Sequence, residues 1–351
     1  MRYTLLGNSG LRVSEVALGT MTFGEAWGWG ASEEECRHMF DAFVEAGGNF
    51  VDTAGNYTDG QSEEIVGSLT APDREHFVIA TKYTLTSRRA DPNAGGNHRK
   101  NLVQALEASL RRLRTDYVDL LWLHMWDGMT PVEEVVRALD DLVSSGKVLY
   151  LGISDTPAWV VSRAVTLAHQ HGWSPFVAVQ GPYSIADRDV ERELLPMARD
   201  LGLAFTPWGM LEGGALTGKY LEDTDEPRRY ESGGPKTNAM AREVIAVAEE
   251  IGATPAQVAI TWVRSQPWHV VPIVGARSEA QLRENLGTLE VELAPEQIER
   301  LDAVSGFRLG FPREFLESDH VRGLIFGDTF DLIDDPRVGR VRERTVVNAS
   351  P

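Results

Sequence analysis

Eight short β-rich runs, each separated from the next by a helical pattern, constrain the fold of this chain more than any other feature. Eight strand–helix units within 351 residues predict an α/β fold of the (β/α)8 TIM-barrel type. An open, doubly wound sheet is the alternative for such alternation. The runs are Glu15–Gly19, Asn49–Asp52, His76–Lys82, Val118–His124, Val148–Ser154, Phe176–Gln180, Ala204–Pro207 and Val270–Ile273.

The segments between the runs carry helix signals. Ser32-Glu33-Glu34-Glu35 is a capping pattern that predicts the start of the first barrel helix. Thr130-Pro131 predicts a helix with Thr130 as the N-cap and proline at the first helical position. Within residues 98–114 an apolar stripe recurs at helical spacing, formed by Leu102, Ala105, Leu106, Ser109, Leu110 and Leu113.

Three segments lie outside the repeated units. Residues 1–13 predict a β-hairpin, Arg2–Leu6 with Leu11–Val13, that would cover the N-terminal mouth of the barrel. Residues 208–238 are a glycine-rich insertion after the seventh run, of the kind that closes over a bound ligand. The tail, residues 306–351, is apolar enough that we expect it to pack on the barrel. No linker or internal repeat divides the chain, so we predict a single domain over residues 1–351.

The charge balance and the single cysteine exclude several classes of protein. The chain has 52 acidic and 34 basic residues and a net charge of −18, which argues against nucleic acid as a partner. One cysteine, Cys36, makes neither an intrachain disulfide nor a cysteine-based zinc site. The N-terminus lacks the apolar core of a signal peptide, and no apolar run reaches the roughly 18 residues of a membrane span. We therefore expect a cytoplasmic protein with no membrane partner.

Chemically active residues stand at the ends of three consecutive runs. These runs finish on Asp52, Lys82 and His124, and Tyr57 follows Asp52 within the loop 55–60. In (β/α)8 enzymes the active site lies at the C-terminal ends of the strands. The four side chains are therefore predicted to meet at one rim of the barrel. Taken singly, each has a structural alternative: a helix cap, a strand-end lysine, a core histidine and a loop aromatic.

This set of groups fits the reduction of a carbonyl by hydride. Negative charge develops on the carbonyl oxygen, so a proton donor and a polarising group must lie beside it. A free phenol has a pKa of about 10 and is a poor donor at neutral pH, but a nearby ammonium lowers that pKa. Tyr57 is thus the candidate general acid and Lys82 its modulator. Asp52 would hold Lys82, and His124 would orient the carbonyl.

Longer motifs around these residues resemble the aldo-keto reductase family. The resemblance covers roughly residues 2–330 and extends to the aryl-alcohol-dehydrogenase-like and potassium-channel β-subunit-like branches. It implies a (β/α)8 barrel, NADP(H) as the cofactor, and reversible reduction of an aldehyde or ketone to the alcohol. The matching segments are Val51-Asp52-Thr53-Ala54-Gly55-Asn56-Tyr57 with Ser62-Glu63, Ala80-Thr81-Lys82, Asp119-Leu120-Leu121-Trp122-Leu123-His124, residues 146–154 and residues 216–220.

The cofactor is not expected to bind through a Rossmann motif. Gly28-Trp29-Gly30 begins a glycine-rich fingerprint, but Glu33 occupies the third glycine position. An arginine at the start of a helix suits a 2′-phosphate, and Arg277 follows the last run in this way. By resemblance, the cofactor residues are Ser154, Asp155 and Gln180 at the nicotinamide carboxamide, Trp208 on the ring face, Gly209, Leu211 and Gly213 at the pyrophosphate, and Gly275, Arg277, Gln281 and Asn285 at the adenosine end.

Aromatic residues predict the wall of the substrate pocket, with core packing as the alternative for each. They favour a ring-bearing or stacking substrate, such as an aryl carbonyl, a quinone or a keto-sugar. The predicted wall is Phe23, Trp27, Trp29, Tyr83 and Trp126.

The alternative function is a redox-sensing or regulatory subunit that binds NADPH and turns over slowly. A metal-dependent hydrolase is disfavoured and no metal is predicted, because His124 alone among eight histidines falls at a predicted strand end.

Overall fold

The computed structural model describes residues 1–221 and 234–333, in which the strands form two sheets. The first is an antiparallel hairpin of β1 (Tyr3–Leu5) and β2 (Arg12–Ser14), as predicted. The second is a parallel sheet of β3 (Ala17–Gly19), β4 (Phe50–Asp52), β5 (Val78–Tyr83), β6 (Val118–Leu123), β7 (Val148–Ser154), β8 (Phe176–Pro182), β9 (Ala204–Trp208) and β10 (Ile273–Gly275). Its order is β10 followed by β3 to β9 in sequence.

The sheet closes into a barrel at the seam between β9 and β10. Phe205 N donates to His269 O at 2.9 Å, and Val271 N donates to Phe205 O at 2.8 Å. Consecutive strand order with closure confirms the (β/α)8 barrel and excludes the open, doubly wound alternative. The predicted last strand, Val270–Ile273, is divided: Val270 bridges to β9, whereas pairing with β3 begins at Ile273.

Helices alternate with the barrel strands. Ser32 caps the first of them as predicted, because its side chain accepts a hydrogen bond from Glu35 N at 3.3 Å. Thr130 does not cap its helix, which begins at Val132; its hydroxyl donates to Asp127 Oδ2 at 2.7 Å instead. The helices are α1 (Glu33–Glu45), α2 (Gln61–Thr70), α3 (Arg99–Leu113), α4 (Val132–Ser144), α5 (Ala158–His171), α6 (Leu194–Asp200), α7 (Gly234–Ile251), α8 (Pro255–Arg264), α9 (Glu279–Leu286), α10 (Pro295–Ser305), α11 (Arg313–Leu316) and α12 (Asp319–Phe326).

Two apolar clusters stabilise the barrel. The larger lies between the sheet and the helices, where the stripe of α3 is buried through Leu102, Leu106 and Leu110. The smaller fills the barrel interior and includes Trp122, together with Leu6 and Val13 from the hairpin. Because hairpin residues belong to the interior cluster, the hairpin covers the N-terminal mouth of the barrel and leaves the opposite rim open.

The described residues fall into two compact units, Met1–Phe307 and the residues from Arg308 onward. The second unit contains α11, α12 and a short 3₁₀ segment at Gly327–Leu332. Packing of the tail 306–351 on the barrel stays a prediction, as does the single domain, and residues 334–351 lie outside the described part. Across residues 1–221 and 234–333, no helix combines the length and apolar character needed to cross a bilayer.

Candidate active site

The four predicted catalytic side chains meet at the C-terminal rim of the barrel. Asp52 ends β4, Lys82 lies near the end of β5, and His124 directly follows β6. Lys82 Nζ donates to Tyr57 Oη at 3.0 Å, to Thr53 O at 2.9 Å and to the carboxylate of Asp52. The His124 ring stands edge-on to the Tyr57 ring, with centroids 6.1 Å apart and an interplanar angle of 83°. Phenol, ammonium and imidazole are therefore neighbours.

Burial and the neighbouring charges together determine the protonation states of this group. Desolvation works to lower the pKa of Lys82, but the Asp52 carboxylate and the Tyr57 phenol raise it overall, so the ammonium stays charged. Burial also raises the pKa of Tyr57, and Lys82 offsets only part of this rise. This direction is opposite to the sequence-based expectation, because desolvation of a phenolate outweighs one paired ammonium. Tyr57 is therefore protonated at neutral pH and has a proton to donate.

His124 is neutral in this environment. Burial, reinforced by the nearby positive charge of Lys82, lowers its pKa to about 3. Its Nδ1 atom is buried and has no hydrogen-bond partner in the described part of the chain. A neutral imidazole offers one N–H donor and one acceptor, so His124 suits the orientation of a polar ligand atom better than the delivery of a proton.

Tyr57 is presented by a constrained turn. The three residues after it, Thr58, Asp59 and Gly60, all have left-handed backbone conformations, with φ of 45°, 57° and 97°. Two of them carry a side chain, and such strain is typical of functional loops. The turn is fixed because the Thr58 hydroxyl donates to Phe23 O at 2.5 Å and accepts from Ser62 N at 3.1 Å. The chain therefore holds the phenol in one position.

A cleft of about 880 Å³ opens beside these residues, within the range of small-molecule and cofactor sites. Asp52, Tyr57 and His124 line it, whereas Lys82 lies behind them. All eleven predicted cofactor residues also line it: Ser154, Asp155, Gln180, Trp208, Gly209, Leu211, Gly213, Gly275, Arg277, Gln281 and Asn285. Of the predicted 208–238 loop, residues 222–233 lie outside the described part, and residues 234–238 belong to α7 rather than to a loop.

Polar atoms at the end of β7 fit a carboxamide. Ser154 Oγ and Asp155 Oδ1 are buried and have no hydrogen-bond partner at normal geometry within the residues that the structure describes. Burial raises the pKa of the Asp155 carboxyl, and the Trp208 and Ser154 side chains beside it offset part of this rise. Asp155 also has a left-handed φ of 41°, a conformation that is uncommon for a residue with a side chain and that often occurs at functional sites. A hydroxyl donor beside a carboxylate acceptor matches the C=O and NH₂ of an amide. Gln180 links this region to the catalytic group, since its Nε2 donates to Asp52 Oδ1 at 3.2 Å.

The segments predicted to hold the pyrophosphate and the adenosine also fit a nucleotide. Gly209 and Gly213 have φ of 77° and 60°, and a Cβ on Gly209 would meet nothing within 4 Å, so its backbone is open to a ligand. Helix α9 begins after Ser278, whose side chain accepts from Gln281 N at 3.3 Å. Arg277 lies just before this N-terminus, a position that favours an anionic group.

Only two of the five predicted wall aromatics line the cleft, Trp27 and Trp29. Phe23 is fully buried in the large apolar cluster and contributes its carbonyl to the Tyr57 turn. Tyr83 is buried in the same cluster, with its hydroxyl 3.4 Å from Asn97 O. Trp126 packs partly buried against that cluster. Core packing, the alternative role for each, is what the structure shows for these three.

Several lining residues were not candidates from sequence. Most follow a barrel strand or lie in the segment 209–219, so their place after a strand end was the available signal. Their residue types are common in loops, so residue type alone did not mark them as lining a site. They include Thr20, Met21, Thr22, Asn56, Leu85, Pro182, Asp187, Glu212, Gly214, Thr217 and Lys219. Across residues 1–221 and 234–333, no three His, Cys, Asp or Glu side chains are grouped to hold a metal.

The fold and the site together define an oxidoreductase built on a (β/α)8 barrel. The model of the aldo/keto reductase family matches residues 15–305, and the chain belongs to this family. It is 40% identical to the aryl-alcohol dehydrogenase [NADP(+)] of Phanerodontia chrysosporium, over 92% of this chain and 88% of that one. It is 40% identical to the norsolorinic acid reductase of Aspergillus flavus (89% and 83%) and 38% identical to an aryl-alcohol dehydrogenase of Pestalotiopsis microspora (90% and 84%).

Proposed function

We propose that the protein is an NADPH-dependent reductase that converts an aldehyde or ketone to the alcohol, with Tyr57 as the proton donor. The observation that carries this proposal is the hydrogen bond of 3.0 Å between the buried Lys82 ammonium and the phenol. The phenol is protonated, faces the cleft and is adjacent to a cation that stabilises the phenolate left after proton transfer.

Each catalytic side chain has a separate role. Tyr57 donates its proton to the carbonyl oxygen, and Lys82 lowers the cost of the resulting negative charge. His124, being neutral, donates a hydrogen bond that orients the carbonyl next to the phenol. Asp52 keeps Lys82 charged and in place, because an unpaired ammonium would be costly at this depth.

The cofactor residues are assigned by the fit of the cleft. Ser154, Asp155 and Gln180 would hold the carboxamide of a nicotinamide, and Trp208 would cover the ring face. Arg277 would pair with the 2′-phosphate, which is the basis for preferring NADPH over NADH. When bound, NADPH supplies the hydride. One relative is named as using NADP(+), in agreement with this assignment.

We propose an aryl carbonyl as the substrate class. The ring centroids of Trp27 and Trp29 are 5.6 Å apart, both residues line the cleft, and Trp27 meets the Tyr57 ring edge-on, so the pair offers an aromatic surface to a ring-bearing substrate. Two of the relatives are named aryl-alcohol dehydrogenases and a third norsolorinic acid reductase. Quinones and keto-sugars, which also stack on indoles, are the other carbonyl types to compare.

A steady-state screen tests the proposal. NADPH oxidation is followed by absorbance with 4-nitrobenzaldehyde, a quinone and a keto-sugar, and each reaction is repeated with NADH. We expect turnover with NADPH and the highest kcat/KM for the aryl aldehyde. Tight NADPH binding without turnover of any carbonyl would instead support the alternative, a redox-sensing subunit. Turnover that a chelator abolishes would contradict the proposed mechanism, which uses no metal.

A further inference from the structure

Two tryptophans on the loop between β3 and α1 connect the proton donor to Arg277. The guanidinium carbon of Arg277 lies 5.4 Å from the ring centroid of Trp29, a cation–π distance. Trp29 packs on Trp27 with centroids 5.6 Å apart, and Trp27 meets the Tyr57 ring edge-on at 6.5 Å. A continuous row of ring contacts therefore runs from the catalytic phenol to the predicted phosphate-binding arginine.

The glycines beside Trp29 explain the incomplete Rossmann-like motif. Gly28 has a φ of 76°, and a Cβ on Gly30 would lie 1.8 Å from Gly24 O. The loop folds back on itself here, with Ala31 N donating to Thr22 O at 2.7 Å and Gly24 N donating to Ala31 O at 3.1 Å. Gly28 and Gly30 thus permit a tight loop that presents Trp29. This structural role accounts for the two glycines without a phosphate bound to Gly28-Trp29-Gly30.

Hydrogen bonds anchor the loop between β3 and α1 on both sides of the cleft. The Thr22 hydroxyl donates to Ala276 O at 2.5 Å, directly before Arg277 in the chain. On the opposite side, Trp27 Nε1 donates to Asp59 Oδ1 at 3.3 Å, within the turn that follows Tyr57. Both anchors hold the loop at a fixed position relative to its neighbours, so the Trp29 ring is a stable surface for the guanidinium.

We propose that Trp29 is a positioning residue that holds Arg277 for the 2′-phosphate of NADP(H) and thereby strengthens the preference over NAD(H). The inference rests on the role of Arg277 in the proposed function. A cation–π contact takes up one side of a guanidinium and leaves N–H groups on its other sides for hydrogen bonds to phosphate. The arginines of α8 and α9 form salt bridges, Arg264 with Glu15 and Arg283 with Glu45 and Glu279. Within residues 1–221 and 234–333, no carboxylate pairs with Arg277 in this way and competes with a phosphate for its N–H groups.

Fragments of the cofactor separate positioning from direct contact. Affinities for 2′,5′-ADP and 5′-AMP are measured by calorimetry for the wild type, Trp29→Ala, Trp29→Phe, Arg277→Ala and the Trp29→Ala/Arg277→Ala double variant. We expect Trp29→Ala to weaken 2′,5′-ADP about two- to fivefold, the size of an exposed cation–π contact, with 5′-AMP unchanged. Trp29→Phe should retain most of the affinity, because a phenyl ring still offers a π face.

The double variant and a surface control make the test decisive. In the Arg277→Ala background, Trp29→Ala should cause no further loss of 2′,5′-ADP affinity. Trp159→Ala, at a tryptophan that is 65% exposed and outside the cleft lining, should leave both affinities unchanged, and thermal melts confirm that each variant is folded.

Three outcomes overturn the inference. Equal losses for both fragments would mean that Trp29 contacts the adenosine itself. Unchanged 2′,5′-ADP affinity in Trp29→Ala, with a loss in Arg277→Ala, would remove the positioning role and leave the phosphate assignment intact. Unchanged 2′,5′-ADP affinity in Arg277→Ala would show that the phosphate assignment in the proposed function is wrong, and the inference would fall with it.

Discussion

Replacing Tyr57 by phenylalanine removes one hydroxyl from a closed set of contacts. The Lys82 ammonium has three N–H donors, and the structure gives them three acceptors: Tyr57 Oη, Thr53 O and the Asp52 carboxylate. In Tyr57→Phe the last two remain, so Lys82 stays charged and anchored. The phenyl ring retains the contacts of the original ring with Trp27 and His124. The variant should therefore fold and keep the shape of the cleft.

The expected losses differ strongly between stability and catalysis. One lost hydrogen bond to a charged group costs about 1.5–3 kcal/mol of folding stability, which lowers Tm modestly. Losing a positioned general acid slows the chemical step by roughly 10²–10⁴-fold, equivalent to about 3–5 kcal/mol in the activation barrier. Cofactor affinity should hardly change, because no cofactor assignment depends on the phenol.

Single-turnover kinetics measure these quantities separately. The variant is mixed with NADPH and then with an aryl aldehyde in a stopped-flow instrument, and the cofactor Kd is determined by fluorescence titration. Tyr83→Phe is the matched control, since Tyr83 lies one residue from Lys82 but is buried away from the cleft. A near-wild-type chemical step in Tyr57→Phe would refute the reasoning, and so would an equal loss in both variants.

Three further outcomes are expected. Lys82→Met should raise the pKa of Tyr57 further and nearly abolish reduction, whereas Asp52→Asn should impair it less; pH–rate profiles of both variants check this. His124 has a pKa of about 3 in the folded protein against an ordinary 6.5, so the unfolded state binds an extra proton between these values. The free energy of unfolding therefore decreases as the pH is lowered through this window, by up to about 1.4 kcal/mol per pH unit. By calorimetry, Tm should fall less between about pH 6.5 and pH 4 in His124→Asn than in the wild type. Arg277→Ala should weaken NADPH by about 1–3 kcal/mol and leave NADH unchanged in fluorescence titrations.

The barrel could be predicted because each strand run is bounded by helix signals. Ser32 and its acidic neighbours identified the start of α1 correctly, and the stripe from Leu102 to Leu113 identified the buried face of α3. The eighth strand was less accurate, because Val270 and Ile273 pair with different neighbours and a local apolar pattern does not reveal which. Strand partners are a tertiary property.

The site could be predicted where a strand end fixes the direction of a side chain. Successive residues on a strand point to opposite faces, so Lys82 faces the reacting groups and Tyr83 faces the helices. Tyr83 therefore packs among core residues, away from the pocket wall that was predicted for it. The direction of the Tyr57 pKa could not be predicted either, because it depends on how completely the phenol is desolvated.

The seam between β9 and β10 has fewer hydrogen bonds between strands than the rest of the barrel. Strand β9 is joined to the segment just before β10 by an isolated bridge between Phe205 and Val270, whereas every other neighbouring pair in the ring is joined by a ladder. Eight of the eleven assigned cofactor residues end or follow those same two strands, from Trp208 to Gly213 on one side and from Gly275 to Asn285 on the other. A dinucleotide that contacts both sides of the seam would stabilise the barrel where its strands share the fewest hydrogen bonds. Its binding should then slow amide hydrogen exchange at Phe205 and Val271, whose N–H groups form the hydrogen bonds of the seam.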